Sequence, residues 1–171
     1  MNKEFIYINT IRTVFFLILQ IFLFNILPIG IFYIMVYPAA ILLFPIATRK
    51  VLIVIIAFSC GFILDWFSNG NGLHTASLTF LGYSRSYILE YIRPSSGWTK
   101  IDVPNIYQQG FKWVATYTTI AIIIHHSVYF FLESFSAINV LFTLKKMVLS
   151  SIMSIAIILL INLLFLKNNK L

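Results

Sequence analysis

The longest uncharged stretch of the sequence is the feature that most constrains the fold. No Asp, Glu, Lys or Arg occurs between Thr13 and Thr48. A single helix of that length would extend about 54 Å at 1.5 Å per residue. The hydrocarbon core of a bilayer is only about 30 Å thick. The stretch is therefore predicted to form two membrane spans, joined by a turn at residues 25–30, where Asn, Pro and Gly occur together.

The composition indicates the same class of protein along the whole chain. Of the 171 residues, 60% are hydrophobic and 10% are charged, and the mean hydropathy is +0.94. Soluble domains are about 45–50% apolar and about 25% charged. The sequence is therefore predicted to form a single polytopic membrane domain over residues 1–171. The single cysteine, Cys60, excludes an intramolecular disulfide and is interpreted as a small apolar residue within a span.

Six helical spans are predicted in an all-α integral membrane protein. The first is interpreted as a retained anchor, because no small-residue cleavage site follows it. The second contains Pro38 and Pro45 and is expected to be kinked or partly irregular. The fourth is the least hydrophobic and is expected to face protein over most of its circumference. The approximate spans are 6–27, 31–47, 51–67, 73–92, 111–132 and 145–166, with a polar loop at 93–110.

The distribution of basic residues predicts the orientation. An even number of spans places both termini on one side, and ten of the twelve Lys and Arg residues fall on that side. The two on the other side are Lys145 and Lys146. The positive-inside rule therefore predicts cytoplasmic termini, with Asp65 and Glu133 facing outward. The net charge of +7 is explained by this topology rather than by nucleic-acid binding.

Asp65 is the most informative acidic residue, because it ends an apolar run and precedes a Ser/Asn/Gly turn at residues 68–72. An ionised carboxylate at membrane depth needs water, a cation or a donor network. Three roles remain open from the residues alone. Asp65 caps the turn by accepting from backbone N–H groups near residues 68–71, pairs with a cation, or forms a proton or substrate site.

Other polar residues in the spans suggest packing or a polar path. His74 and Arg85 share a face of span four and suit interhelical hydrogen bonds or, alternatively, a transport path. His125, Tyr129 and Glu133 also share a face. One histidine and one distant carboxylate do not provide the three convergent ligands that a metal needs, so no metal or cofactor is expected. No H-E-x-x-H, G-x-S-x-G or P-loop occurs, so no enzyme activity is expected.

The stretch GFILDWFSNGNGLHTA, residues 61–76, resembles the signature of the rod shape-determining protein family MreD. The matching features are Gly61, Asp65, the Ser/Asn/Gly turn and Gly72-Leu73. The chain length, the turn at 25–27, the proline in span two and the polar segment before span five are similar too. The sequence Gly72-Leu73-His74, with Arg85 and Arg93-Pro94 following, looks like the form found in the Bacteroidetes lineage.

The resemblance implies a non-enzymatic protein of the bacterial inner membrane. It implies a partner, the periplasmic scaffold MreC, and indirect association with MreB, RodA and a class B penicillin-binding transpeptidase in lateral peptidoglycan synthesis. It also implies a fold similar to the S-components of energy-coupling-factor vitamin transporters. An S-component is therefore the alternative function, although span one lacks the A-x-x-x-A docking motif that such proteins often carry.

Two sets of residues are the candidate sites. The first set is expected to shape an outer pocket or turn, with Gly61 allowing another helix to approach closely. It comprises Gly61, Asp65, Gly70, Gly72 and His74. The second set is expected to serve helix packing or a partner interface. It comprises Ser77, Gly82, Arg85, Ser150 and Ser154.

Overall fold

A computed structural model describes residues 3–26, 33–95, 97–98, 103–135 and 140–165 of the chain. The described residues form helices and connecting turns, without β-strands. The helices are α1 (Lys3–Ile26), α2 (Pro38–Leu42), α3 (Lys50–Ser68), α4 (Leu73–Tyr91), α5 (Ile106–Gln109), α6 (Phe111–Ser134) and α7 (Val140–Phe165). The part of the predicted first turn at 27–30 lies outside the described residues, as do Lys100 and the basic tail.

The helices confirm a helical membrane protein. Within the described part, α3, α6 and α7 are long and apolar enough to cross a bilayer, and α1 has a shorter apolar stretch, Tyr7–Leu23. Their outward faces carry many large apolar side chains, such as Ile55 and Phe62 on α3. Such faces are stable against lipid rather than water.

The long helices pack as neighbours in chain order. α3 packs against α4, α4 against α6, and α6 against α7, while α1 lies against α2 and α3. The least apolar helix, α4, therefore lies between two others, as its composition predicts. Its buried face includes His74, Ser77 and Arg85. Burial against protein provides these groups with partners that lipid cannot offer.

The second predicted span is the main difference between the sequence and the structure. A helix over residues 31–47 is predicted, but of its described residues only Pro38–Leu42 form α-helix. Pro38 occupies the first turn of α2, where its missing N–H is tolerated. Proline also disfavours helix in the residue before it, so Phe44 is a poor position for continuing the helix. The expected irregularity is confirmed and is more extensive than a kink.

The broken segment 33–45 runs through the middle of the bundle. Tyr33 contacts Glu133 near the end of α6, and Phe44 contacts Arg85 in the second half of α4. The segment between them is almost fully buried. It runs antiparallel to α1, because Arg12 bonds to Leu43 whereas Gln20 bonds to Ile34.

α7 also begins earlier than predicted. The sixth span was predicted from residue 145, but α7 begins at Val140. Lys145 and Lys146 therefore lie in its second turn rather than before it. Lys146 is tolerated there because its ammonium group pairs with Glu133 across the α6–α7 hairpin, at 2.9 Å from Oε1.

Candidate functional site

Asp65 caps the N-terminus of α4. Its Oδ1 accepts from the backbone N–H of His74 at 3.0 Å, and its Oδ2 accepts from the N–H of Thr75 at 2.8 Å and from the Thr75 hydroxyl. The N-cap residue of α4 is Gly72, which has no side chain to offer. Asp65 therefore performs from α3 the task that an N-cap side chain usually performs. Capping is one of the three predicted roles, but the donors are His74 and Thr75 rather than residues 68–71.

The turn between α3 and α4 is closed tightly around this carboxylate. Asn69, Asn71 and Gly72 have left-handed φ angles of 52°, 50° and 87°. Asn and Gly are the residues that adopt this conformation most readily, which explains the composition of the turn. A Cβ at Gly70 would run into the Asp65 carboxylate and come within 2.9 Å of the His74 ring. Gly70 therefore leaves the room that the Asp65 carboxylate and the His74 ring occupy.

Gly61 sets the distance between α3 and α4. A Cβ built there would lie 2.5 Å from Thr75 Cα and 2.7 Å from the His74 carbonyl oxygen. Both atoms belong to backbone, which cannot rotate away as a side chain can. Gly61 therefore allows the first turn of α4 to reach the carboxylate of Asp65, which confirms the expected close helix approach.

A chain of buried hydrogen bonds begins beside this corner and crosses the bundle. The Tyr37 hydroxyl lies 2.9 Å from His74 Nδ1 and 2.9 Å from His125 Nε2. His125 Nδ1 lies 3.3 Å from His126 Nδ1, and His126 Nε2 lies 3.3 Å from Ser154 Oγ. All five residues are at most 2% exposed. The chain joins α4, the broken segment, α6 and α7 through side chains alone.

The donors and acceptors of this hydrogen-bonded chain can all be satisfied by neutral groups. A neutral imidazole has one N–H donor and one acceptor, and a hydroxyl donates once. If Ser154 donates to His126, then His126 donates to His125, His125 to Tyr37, and Tyr37 to His74. If His74 donates to Tyr37, every bond can reverse, or the Tyr37 hydroxyl can accept from both histidines and donate to Met35 Sδ at 3.9 Å. Each arrangement satisfies all four contacts without a charge, which suits a dry interior.

The non-helical residues before α2 are held by side chains from two other helices. The N–H of Tyr33 donates to Ser150 Oγ at 2.9 Å, and the N–H of Met35 donates to Ser154 Oγ at 3.0 Å. Gln20 of α1 accepts from the N–H of Val36 at 2.7 Å and donates to the Ile34 carbonyl at 3.0 Å. Non-helical backbone is tolerated at membrane depth only when its polar groups are satisfied in this way.

The carbonyl groups at the other end of α2 are held by long polar side chains. Tyr117 donates to the Leu42 carbonyl at 3.1 Å. Arg12 donates to the Leu43 carbonyl, and Arg85 donates to the carbonyls of Phe44 and Pro45. Arg85 Nε also donates to the Tyr117 hydroxyl at 3.0 Å. These bonds satisfy the carbonyl of Leu42, the last residue of α2, and the carbonyls of the three residues that follow it.

The residues predicted for packing or a partner interface lie inside the bundle. Ser77 is fully buried and donates to the Leu73 carbonyl at 2.8 Å. Gly82 faces α3, where an added Cβ would lie 2.9 Å from Ala57 Cβ. Arg85, Ser150 and Ser154 bond to the broken segment, as described above. In this structure the five residues therefore serve internal packing, which was one of the two predicted roles.

The sequence did not identify Tyr37 or Gln20 as important residues. Gln20 could have been found, because a glutamine within an otherwise apolar span is costly unless it has a specific partner. Tyr37 gave no comparable signal, since tyrosine is common in membrane proteins. The Nδ1 atoms of His125 and His126 lie 3.3 Å apart, although adjacent residues of a helix point in different directions. Over the described residues, no group of three or more His, Cys, Asp or Glu side chains is placed to hold a metal.

An open apolar groove of about 630 Å³ runs along the outer surface of α3 and α4. Aromatic and aliphatic side chains form its walls, and Gly72, Thr75, Ala76 and Thr79 form a strip of small residues along α4. The Thr79 hydroxyl is buried and has no hydrogen-bond partner among the described residues. The groove is thus a surface feature that adjoins the corner at Asp65, because Thr75 lines the groove and also bonds to Asp65.

Together, these features define an all-helical membrane protein whose interior polar groups hold a broken central segment. Comparisons with known protein families, with curated proteins and with solved structures find no match to the chain. Function therefore has to be inferred from the chain's own residues. The similarity to transporter S-components stays a prediction.

Proposed function

We propose that this chain is a non-enzymatic membrane component of the bacterial cell-elongation complex. It binds the scaffold MreC and helps to organise lateral peptidoglycan synthesis, and hence cell shape. MreB, RodA and a class B penicillin-binding transpeptidase are indirect partners. The protein resides in the inner membrane with both termini in the cytoplasm.

The proposal rests on the contacts made by residues 61–76, the stretch that resembles the family signature. Gly61 brings two helices together, Asp65 caps α4, and Gly70 leaves room for that carboxylate. These residues build a rigid corner whose polar groups bond within the chain. Such a corner suits a protein that presents a fixed surface to partners, and it is consistent with the family resemblance.

Six crossings are supported by the course of the broken segment. The proposal assigns one crossing to each of the five long helices and the sixth to segment 33–45, which extends from Glu133 at one end of the bundle to Arg85 near the other. Arg49, Lys50 and Lys112 lie toward the second end, whereas Lys145 and Lys146 lie toward the first. The positive-inside rule then favours a cytoplasmic second end.

The groove of α3 and α4 is the surface that best suits the single transmembrane anchor of MreC. Helices associate in membranes where small residues let the backbones approach, and a hydroxyl can add an interhelical hydrogen bond. The strip from Gly72 to Thr79 offers small side chains and one hydroxyl without a described partner.

A matched pair of substitutions tests this surface. Ala76→Trp fills the groove, whereas Ala156→Trp adds the same bulk to an exposed position on α7. Each variant is made the only copy in the cell. We expect Ala76→Trp to reduce MreC co-purification and to widen or round the cells, and Ala156→Trp to do neither. Equal MreC recovery from both variants would refute the groove as the contact.

One observation favours the S-component alternative. Interrupted helices near the middle of the membrane form the substrate sites of many transporters. Here, however, the freed backbone groups of residues 33–37 bond to Gln20, Ser150 and Ser154 of the same bundle. The shape-determining role is therefore preferred.

A further inference from the structure

Two arginine side chains meet within the bundle at the C-terminal end of α2. Arg12 of α1 donates to the Leu43 carbonyl, and Arg85 of α4 donates to the Phe44 carbonyl. Because these carbonyls belong to consecutive residues, the two guanidinium groups are neighbours, close enough for electrostatic repulsion between them. Like charges are rarely brought together away from water without a counter-charge.

The carboxylates whose side chains the structure describes do not balance this pair. Asp65 caps α4 at the opposite end of the bundle, while Glu90 and Glu133 form ion pairs with Arg93 and Lys146. The carbonyls that the arginines contact are dipoles. Even a full-length helix presents only about half a negative charge at its C-terminus, and α2 has five residues. Among the side chains that the structure describes, the positive charge of the two arginines therefore has no counter-charge.

The two arginines differ in a way that suits a binding site. Arg85 is 2% exposed and is fixed by Tyr117 and by two carbonyls. Arg12 is half-buried, so part of its side chain lies at the surface of the bundle. The Nε–H of Arg12 is nevertheless buried and has no hydrogen-bond acceptor in the described part of the chain. A buried donor without an acceptor is costly, and an added acceptor would relieve that cost.

We propose that Arg12 and Arg85 form a binding site for the phosphate group of an anionic phospholipid. Guanidinium groups bind phosphate through paired N–H donors, and basic pockets between transmembrane helices recognise anionic headgroups. Phosphate supplies both the missing acceptor for Arg12 and the missing counter-charge. Lipid is the source because α1 lies in the membrane, where headgroups are the most abundant phosphates. The site is independent of the proposed role in cell elongation.

The test measures the thermal unfolding midpoint of the purified, delipidated protein in a neutral detergent. Phosphatidylglycerol, phosphatidylcholine with the same acyl chains, and inorganic phosphate are added separately. We expect phosphatidylglycerol to raise the midpoint by about 5 °C near saturation, with a much smaller effect of phosphatidylcholine. The increase should disappear in Arg12→Gln. It should persist in Lys145→Gln, which removes an exposed cation at the other end of the bundle.

Several results would overturn the proposal. Equal stabilisation by the two lipids would show that binding does not require net negative charge. A wild-type increase of the midpoint in Arg12→Gln would show that Arg12 is not part of the binding site. An equal effect of inorganic phosphate would exclude lipid as the source. If Arg12→Gln does not fold, native mass spectrometry of the wild-type protein decides. Phosphatidylglycerol should remain bound at activation energies that release phosphatidylcholine. Release of both lipids at the same activation energy would contradict the proposed site.

Discussion

Replacing Gly61 by alanine tests how closely α3 and α4 must pack. The added Cβ would lie 2.5 Å from Thr75 Cα and 2.7 Å from the His74 carbonyl oxygen. Carbon atoms in contact are normally about 3.5–4.0 Å apart, so the start of α4 must move by about 1 Å. Such overpacking costs about 1–3 kcal/mol, and alanine's better helix propensity returns at most about 1 kcal/mol. We therefore expect Gly61→Ala to lower the free energy of unfolding by about 1–2 kcal/mol.

Two further variants of the same helix pair provide a comparison for Gly61→Ala. Gly82→Ala should lower the free energy of unfolding by less, because the nearest contact of its Cβ is the methyl group of Ala57 at 2.9 Å rather than backbone. Ser59→Ala is the control, since Ser59 is exposed and its hydroxyl bonds only to the Ile55 carbonyl of its own helix.

The assay is the thermal unfolding midpoint of each variant in detergent. We expect Gly61→Ala to lower the midpoint by about 2–8 °C, from about 2–4 °C per kcal/mol for a chain of this size. Gly82→Ala should fall between Gly61→Ala and Ser59→Ala. A Gly61→Ala protein as stable as the Ser59→Ala protein would refute the close approach of α3 and α4.

Three further substitutions test the interior polar groups by the same unfolding measurement. Asp65→Asn should lower the free energy of unfolding by about 1–2 kcal/mol, because an amide cannot accept from both N–H groups as a carboxylate does, while membrane insertion stays intact. A loss no larger than that of the exposed Glu90→Gln variant would contradict the cap. Tyr37→Phe should lower the free energy of unfolding by about 1–3 kcal/mol, because two buried imidazole nitrogens lose a hydrogen-bond partner. The exposed Tyr91→Phe variant should be as stable as wild type, and equal stability of the two variants would contradict the buried hydrogen-bonded chain. Ser154→Ala should lower the free energy of unfolding by about 1–3 kcal/mol, because the N–H of Met35 loses its acceptor. An unfolding midpoint equal to that of the wild-type protein would show that this bond is dispensable.

The sequence was sufficient for features that depend on local pattern. The length of the apolar runs predicts the long helices, since a bilayer sets how many residues a span needs. Asp65 could be singled out because a carboxylate is unusual in an apolar helix, and Gly61 because it belongs to the stretch 61–76 that resembles a family signature. The Ser/Asn/Gly composition of residues 68–72 predicted the turn, which has left-handed residues at Asn69, Asn71 and Gly72.

The broken segment could not be predicted in the same detail. Pro38 and Pro45 indicate irregularity, but they do not say how far helix is lost. The extent depends on Gln20, Ser150 and Ser154, which satisfy the backbone of residues 33–36 from helices distant in sequence. Without those acceptors the same segment would have to be helical, because lipid offers no hydrogen bonds.

The histidine chain also depends on distant contacts. His74, His125 and His126 are scattered in sequence, and spacing alone assigns His125 and His126 to different faces. Tyr37 joins them only because the broken segment carries it between α4 and α6. Such a cluster becomes visible only once the packing of the helices is known.

The most direct measurement of the proposed role is affinity purification of the tagged protein in mild detergent, followed by mass spectrometry of co-purifying proteins and small molecules. The account predicts recovery of a single-span periplasmic scaffold together with the elongation enzymes. Recovery of coupling and ATPase subunits, or of a tightly bound vitamin, would contradict it and would make the chain a transporter component.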